Sequence, residues 1–174
     1  MQRPASVTTF GILNIVFAVF GVFGMLGTIA LFSMTGTSNN PVVKIMRESS
    51  AYTAWLKLMI PLGLLTSGLL LAAGIGLLRL ENWGRKLSIG YAVYAILIGI
   101  LGLVMNFIYL FGPLLKEAAQ KQGPEAAGAI GGAVGGSVGG CFGLLYPIFL
   151  LVFMTRPKIV AAFHPPSPPP LPLT

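Results

Sequence analysis

Residues 58–78 read LMIPLGLLTSGLLLAAGIGLL and contain no charged side chain. Because a helix rises about 1.5 Å per residue, a stretch of this length crosses a bilayer core of about 30 Å once. Three more uncharged stretches flank it along the chain, at residues 4–43, 87–115 and 126–155. Each is long enough for one crossing, and none comfortably holds two. The sequence therefore predicts four transmembrane segments.

The lipid solvent determines the secondary structure of these segments. Backbone groups in lipid must be hydrogen-bonded within the protein, so only helices and closed barrels cross a membrane. Barrel strands are short and alternate apolar with polar residues, whereas these four stretches are continuously apolar. We therefore expect an all-α integral membrane protein, with four transmembrane helices in an antiparallel bundle. The spans are predicted at about 7–32, 52–78, 87–111 and 127–155 within a domain of residues 1–163. Gly112-Pro113 is expected to end the third span, and Gly123-Pro124 to mark a break before the fourth.

The composition and the two ends of the chain agree with this prediction. Apolar residues make up 55% of the chain and charged residues 9%, and the mean hydropathy is +0.86, values outside the range of soluble domains. The first apolar stretch is longer than the core of a cleaved signal peptide, so we expect a retained helix. Residues 164–174 are rich in proline and predict a disordered polyproline tail, with docking to a partner as the alternative.

Basic residues near the ends of spans predict the orientation in the membrane. Six basic residues lie on the side of the two termini and of the connection 79–86, and five lie on the other side. The six are the more closely grouped at span ends: Arg3, Arg79, Arg85, Lys86, Arg156 and Lys158. We therefore predict a cell-membrane protein with both termini in the cytoplasm.

The most specific pattern is a glycine repeat in the fourth segment. A Gly-X-X-Gly unit recurs four times, and its glycines share about half of the helix circumference while larger residues line another stripe. Smooth glycine faces let transmembrane helices approach one another closely. We therefore predict helix packing through the eight glycines of the repeat, which are Gly128, Gly131, Gly132, Gly135, Gly136, Gly139, Gly140 and Gly143.

Three roles are open for this glycine repeat at the level of sequence. It could pack against other helices of the same chain, form the seam of a homo-oligomer, or line a pore. In the packing interpretation, a leucine at Gly136 holds the helices apart, whereas a leucine at Val138 on the bulky stripe is tolerated.

Asn14, Asn106 and Pro61 are the other candidate residues within the spans. Polar side chains in lipid are usually buried against a partner, so the two asparagines are expected to hold helices together, with a ligand site as the alternative. Asn14 and Asn106 lie at different depths on helices that run in the same direction, so they are not expected to pair. Pro61 lacks a backbone N–H and should kink its helix, with a gating hinge as the alternative.

Side chains that carry chemistry are scarce. The sequence has no aspartate, no carboxylate within a span and one histidine, His164, in the tail. This composition argues against an intramembrane protease and against proton-coupled transport. The glycine repeat also lacks the strand and the Lys-Ser or Lys-Thr of a phosphate-binding loop. We expect no catalytic site, no metal and no cofactor.

The net charge of +7 fits the flanks of membrane spans, so membrane lipid rather than nucleic acid is the expected partner. Cys141 stands alone in the sequence and is expected to be a small packing residue.

Four short segments carry a resemblance to known proteins. They read RPASVTTFGILN at 3–14, GIGLL at 74–78, WGRKL at 83–87 and TRPKIVAAF at 155–163. With these segments the chain resembles, over most of its length, a loose group of small uncharacterised bacterial multi-pass membrane proteins. The resemblance implies a bacterial inner-membrane location and carries no established activity. The leading hypothesis is a non-enzymatic protein that packs against itself or another membrane protein, and the alternative is a small channel or transporter subunit.

Overall fold

The structure of the protein, a computed structural model, describes residues 5–33, 43, 48–120 and 123–163. Every regular element in that part of the chain is helical, which confirms the predicted all-α class. A π turn, Phe107–Phe111, joins the third helix to the fourth. The α-helices in chain order are α1 (Ala5–Ser33), α2 (Ser50–Leu78), α3 (Asn82–Asn106), α4 (Gly112–Gln120), α5 (Pro124–Met154) and α6 (Pro157–Ala162). The predicted proline-rich tail lies outside the described residues.

Four helical stretches are long and apolar enough to cross a membrane, as predicted. They are Ala5–Ala30, Ser50–Leu78, Asn82–Gln120 and Ala126–Met154. Ser49 caps the start of α2, where its side chain accepts a hydrogen bond of 3.3 Å from the backbone N–H of Tyr52, a common way to satisfy a free helical donor. Gly123 has a φ of 75°, a conformation natural for glycine, and Pro124 begins α5 directly after it. The predicted break at Gly123-Pro124 is therefore confirmed.

The third span continues past Phe111, although Gly112-Pro113 predicted its end there. With the π turn and α4, the helical stretch that begins at Asn82 is 39 residues long. Within a helix, a proline ring normally clashes with the carbonyl group of the residue four positions earlier. For Pro113 this residue is Tyr109, which lies inside the π turn. Because a π turn bonds across five residues rather than four, it changes the position of that carbonyl and the helix continues.

The helices pack in pairs through small residues. α1 lies along α2, α3 lies between α2 and α5, and α4 runs along the start of α5. A Cβ atom added to Gly84 would lie 2.6 Å from the Cα atom of Gly76, and one added to Gly74 would lie 2.8 Å from the carbonyl oxygen of Gly11. The backbones of α2 and α3, and those of α1 and α2, are therefore in direct contact at these points.

Buried side chains gather at one end of the bundle. We call residues 5–18, 67–92 and 146–163 the packed half, and residues 19–33, 50–66, 93–120 and 123–145 the open half. None of residues 19–30 of α1, all of them described, is buried. A smaller cluster of Leu110, Leu114 and Ala129 joins the π turn, α4 and α5 in the open half. The main core lies in the packed half and contains Val7, Phe10, Leu77, Ala92, Leu150, Met154, Ile159 and Phe163.

Candidate functional site

The whole glycine repeat lies within one helix, α5. This helix runs unbroken from Pro124 to Met154, although glycine is a poor helix former and Pro147 also lies inside it. A helix in lipid is maintained because its backbone groups have no water to bond with. The repeat therefore presents its glycines in fixed positions on the surface of a regular helix.

The inner glycine face of α5, formed by Gly132, Gly136 and Gly140, is half-buried and points towards α3. A Cβ atom on Gly140 would lie 2.5 Å from a methyl carbon of Leu103, whereas one on Gly136 would have no neighbour within 4 Å. In return, Leu144 of α5 packs over Gly99 of α3. The contact of the glycine repeat with α3 thus lies at Gly140, one turn beyond Gly136, the position that the sequence suggested.

The outer glycine face is formed by Gly131, Gly135, Gly139 and Gly143. All four glycines are exposed, and a Cβ atom on any of them would have no neighbour within 4 Å outside its own helix. Gly128, at the start of the repeat, is exposed in the same way. Five of the eight glycines predicted to pack therefore have no partner within the described part of the chain.

The outer glycine face continues a surface that α1 covers in the packed half. There the ring of Phe153 lies 5.1 Å from that of Phe10, and the ring of Tyr146 lies 4.2 Å from that of Phe17, measured between centroids. Gly143 and Gly139 precede Tyr146 by three and seven residues, so they lie on the same side of α5. Because none of residues 19–30 of α1 is buried, this part of α1 leaves the same side of α5 uncovered in the open half.

Asn14 links three helices in the packed half. Its side chain is fully buried, its amide nitrogen donates to the hydroxyl oxygen of Ser88 at 3.1 Å, and its amide oxygen accepts from the hydroxyl of Tyr146. Ser88 in turn donates to the backbone carbonyl of Gly84 at 2.9 Å. Both ends of the Asn14 amide are bonded within the chain, so the geometry favours helix packing over a ligand site at this residue.

Asn106 has a different partner in the open half. Its amide oxygen accepts a hydrogen bond of 2.8 Å from the hydroxyl of Tyr52, which connects α3 to the first turn of α2. Asn106 also precedes the π turn and lines a narrow gap beside Gly132, Gly136 and Ser137. The two asparagines thus bond to different residues, at opposite ends of the bundle.

Pro61 lies within α2, which runs through it as one helix from Ser50 to Leu78. The side chain is exposed, and the helix continues although Pro61 has no backbone N–H. The kink and the hinge both stay predictions.

The sequence alone did not indicate the partners of the two asparagines, which are Ser88, Tyr146 and Tyr52. Ser88 and Tyr146 lie about two turns from one end of their helices, at a depth similar to that of Asn14. A comparison of depths from a common membrane surface would have identified them. Among the described residues, no group of three or more His, Cys, Asp or Glu side chains could hold a metal ion. Cys141 is exposed and free.

Three comparisons with known proteins found no match to this chain. No protein-family model matches it, and neither a curated protein nor a solved structure matches it. The surfaces and contacts of the helices are therefore the basis for a functional proposal.

Proposed function

We propose that this protein is a non-enzymatic membrane protein that assembles with another transmembrane helix through the outer glycine face. One observation supports the proposal above all. Gly131, Gly135, Gly139 and Gly143 form an exposed column with no neighbour within 4 Å, on a helix whose other glycine face is already packed against α3. A glycine destabilises a helix by up to about 1 kcal/mol relative to alanine in water. Within the described part of the chain, no packing contact of these four glycines offsets that loss.

Packing against a partner helix would offset this loss of stability. Lipid supplies no hydrophobic driving force between helices. Association in a membrane relies on van der Waals contact, and small residues let two backbones come close enough for it. The partner helix belongs either to a second copy of this chain or to another membrane protein. In a second copy, the two outer glycine faces would meet around a two-fold axis, as in most homodimers.

The test of assembly uses a leucine on the outer glycine face and a matched control. Gly139→Leu adds a protruding side chain to the face, and Gly102→Leu adds one to α3 at a position that is equally free of neighbours. If the partner is a second copy, we expect Gly139→Leu to abolish self-association, measured by energy transfer in vesicles. If the partner is another membrane protein, we expect Gly139→Leu to abolish its co-purification. Gly102→Leu should leave it intact. Equal behaviour of the two variants would contradict the proposal.

The same reconstituted vesicles separate this function from the alternative one. A small channel or transporter subunit would produce solute or ion flux above that of empty vesicles, and the assembly protein would not. Flux that Gly139→Leu abolishes would assign the outer glycine face to a conducting assembly instead.

We further propose that the packed half faces the cytoplasm of a bacterial cell, with both termini on that side of the inner membrane. The support is that Arg79, Arg85, Lys86, Arg156 and Lys158 all lie at the end of the packed half, and basic residues at span ends favour the cytoplasm. Labelling of single cysteines in a Cys141→Ser background tests this orientation. An impermeant reagent on intact cells should label Ser49→Cys and spare Ser167→Cys, and the reverse pattern would overturn the orientation.

A further inference from the structure

An apolar groove separates α2 from α3 on the side of the bundle that neither glycine face of α5 occupies. The two helices touch at Gly76 and Gly84 and diverge towards the open half. The groove between them has a volume of about 300 Å³, and its walls include Leu62, Leu65 and Leu69 of α2 and Leu87, Gly90 and Tyr91 of α3.

The groove opens towards the bilayer. Leu65 is 61% exposed and Leu69 is 41% exposed, and a Cβ atom on Gly90 would have no neighbour within 4 Å. A surface of this kind within the hydrocarbon core contacts apolar chains. Gly90 removes the side chain that would otherwise fill the groove, so an extended apolar chain has room to lie against the backbone of α3.

Basic side chains stand at the end of the groove in the packed half. Lys86 precedes Gly90 by four residues, so it lies on the same face of α3, about one turn closer to the end of the helix. Arg79 directly follows α2 at that end, and both side chains are exposed. Glu81, the carboxylate of this connection, accepts a hydrogen bond from the indole N–H of Trp83. Arg79 and Lys86 outnumber this one carboxylate, so the mouth of the groove carries a net positive charge at the span end, where lipid phosphates lie.

We propose that the groove between α2 and α3 binds an anionic glycerophospholipid, with one acyl chain in the groove and the phosphate group at Lys86 and Arg79. The apolar walls match the chain, and the ammonium and guanidinium groups are donors that suit a phosphate. This site is separate from the outer glycine face and does not depend on the assembly proposed above.

Trp83 gives a direct optical probe of this site. It precedes Leu87 by four residues and is 46% exposed, so its ring lies on the groove side of α3. In a Trp55→Phe background, Trp83 is the only tryptophan. Vesicles of phosphatidylcholine are titrated with phosphatidylglycerol or phosphatidylcholine that carries brominated chains, which quench indole fluorescence on contact. We expect the brominated phosphatidylglycerol to quench Trp83 at a lower mole fraction than the brominated phosphatidylcholine.

Two pairs of variants assign the quenching to the groove and to its charges. Gly90→Leu fills the groove without an internal clash, and Gly102→Leu is its control on the same helix. Lys86→Gln removes a charge at the mouth, and Lys116→Gln removes one at the far end of the third span. We expect Gly90→Leu to abolish the preference for the anionic lipid. Lys86→Gln should reduce it about fivefold, the factor equivalent to about 1 kcal/mol per basic residue at an anionic surface.

Three outcomes would overturn the lipid site. Equal quenching by the two brominated lipids would show that the charges select no anionic headgroup. Unchanged quenching in Gly90→Leu, with the helical circular dichroism of the parent, would show that no chain occupies the groove. If the quenching of Trp83 in the parent protein disappears as the protein dimerises, a second copy of the chain occupies the groove instead.

Discussion

The packed half and the open half of this bundle share the long helices but differ in whether α1 contacts α5. In the packed half, α1 contacts α5 through Phe10 and Phe17, and Asn14 bonds to both α3 and α5. In the open half, α1 lies along α2, where Met25 meets Gly63, and the glycines of α5 that continue the same surface are uncovered. The comparison teaches that large and polar side chains close the bundle within the chain, whereas exposed glycines leave a surface that no described residue covers.

The largest expected effect lies in the packed half, at the contact of α2 with α3. Gly84→Ala would place a Cβ atom 2.6 Å from the Cα atom of Gly76, and a backbone has no side chain to rotate away. We expect a loss of about 3 kcal/mol in the free energy of unfolding, at the upper end of the cost of overpacking, measured by denaturant titration in mixed micelles. Gly90→Ala, on the same helix with open space around it, should be neutral or gain up to about 1 kcal/mol.

The next effect concerns the hydrogen bonds of Asn14. Asn14→Leu removes the bonds to Ser88 and Tyr146 and leaves the Tyr146 hydroxyl without a partner in a half-buried position, so we expect a loss of about 2 kcal/mol. A double-mutant cycle with Tyr146→Phe isolates one bond. We expect a coupling energy between about 0.6 kcal/mol, the average measured between membrane helices, and about 1.7 kcal/mol, the largest value measured. A coupling of zero would show that this hydrogen bond does not stabilise the bundle.

A smaller effect should separate the two glycine faces of α5. The Cβ atom of Gly140→Leu would meet Leu103 of α3, whereas that of Gly139→Leu would have no described neighbour within 4 Å outside its own helix. Because Leu103 is a flexible side chain that can shift, we expect a loss of only about 1 kcal/mol for Gly140→Leu. The melting temperature of the monomer in detergent should fall for Gly140→Leu and hold for Gly139→Leu. A similar fall for both would mean that the outer glycine face is packed within the chain.

The smallest effect is expected in the open half, from Tyr52→Phe. This change removes the hydrogen bond to Asn106 and keeps the aromatic ring, so about 0.6 kcal/mol should be lost. The corresponding change in the packed half, Tyr146→Phe, affects a network of two bonds and should cost more. If the two variants rank in the reverse order, the two halves do not differ in the way described here.

The sequence was sufficient to predict the transmembrane spans and their number, because uncharged stretches of about 20 residues or more have few alternatives in lipid. The continuation past Gly112-Pro113 was not predictable, because it depends on the π turn that contains Tyr109, and a π turn has no marked sequence signal. The local rule that glycine and proline interrupt a helix was correct at Gly123-Pro124. The connection there is polar, so its backbone does not have to stay helical to be hydrogen-bonded.

The glycine repeat illustrates the limit for the candidate site. Its four-residue spacing identifies a smooth surface on α5, but both columns look alike in the sequence. The difference between Gly139 and Gly140 arises from where α1 ends its contact with α5 and where Leu103 of α3 lies. Those positions depend on how far each helix tilts from its neighbours, which is a property of the whole bundle.

Photo-crosslinking in native membranes tests the central claim most directly, because it detects a second copy and another membrane protein equally well. A diazirine amino acid replaces Gly139 on the outer glycine face or Gly102 on α3, both of which have open space around them. We expect protein adducts of one defined mass from position 139 and only lipid adducts from position 102. Lipid adducts alone from both positions would contradict the claim that another transmembrane helix covers the outer glycine face.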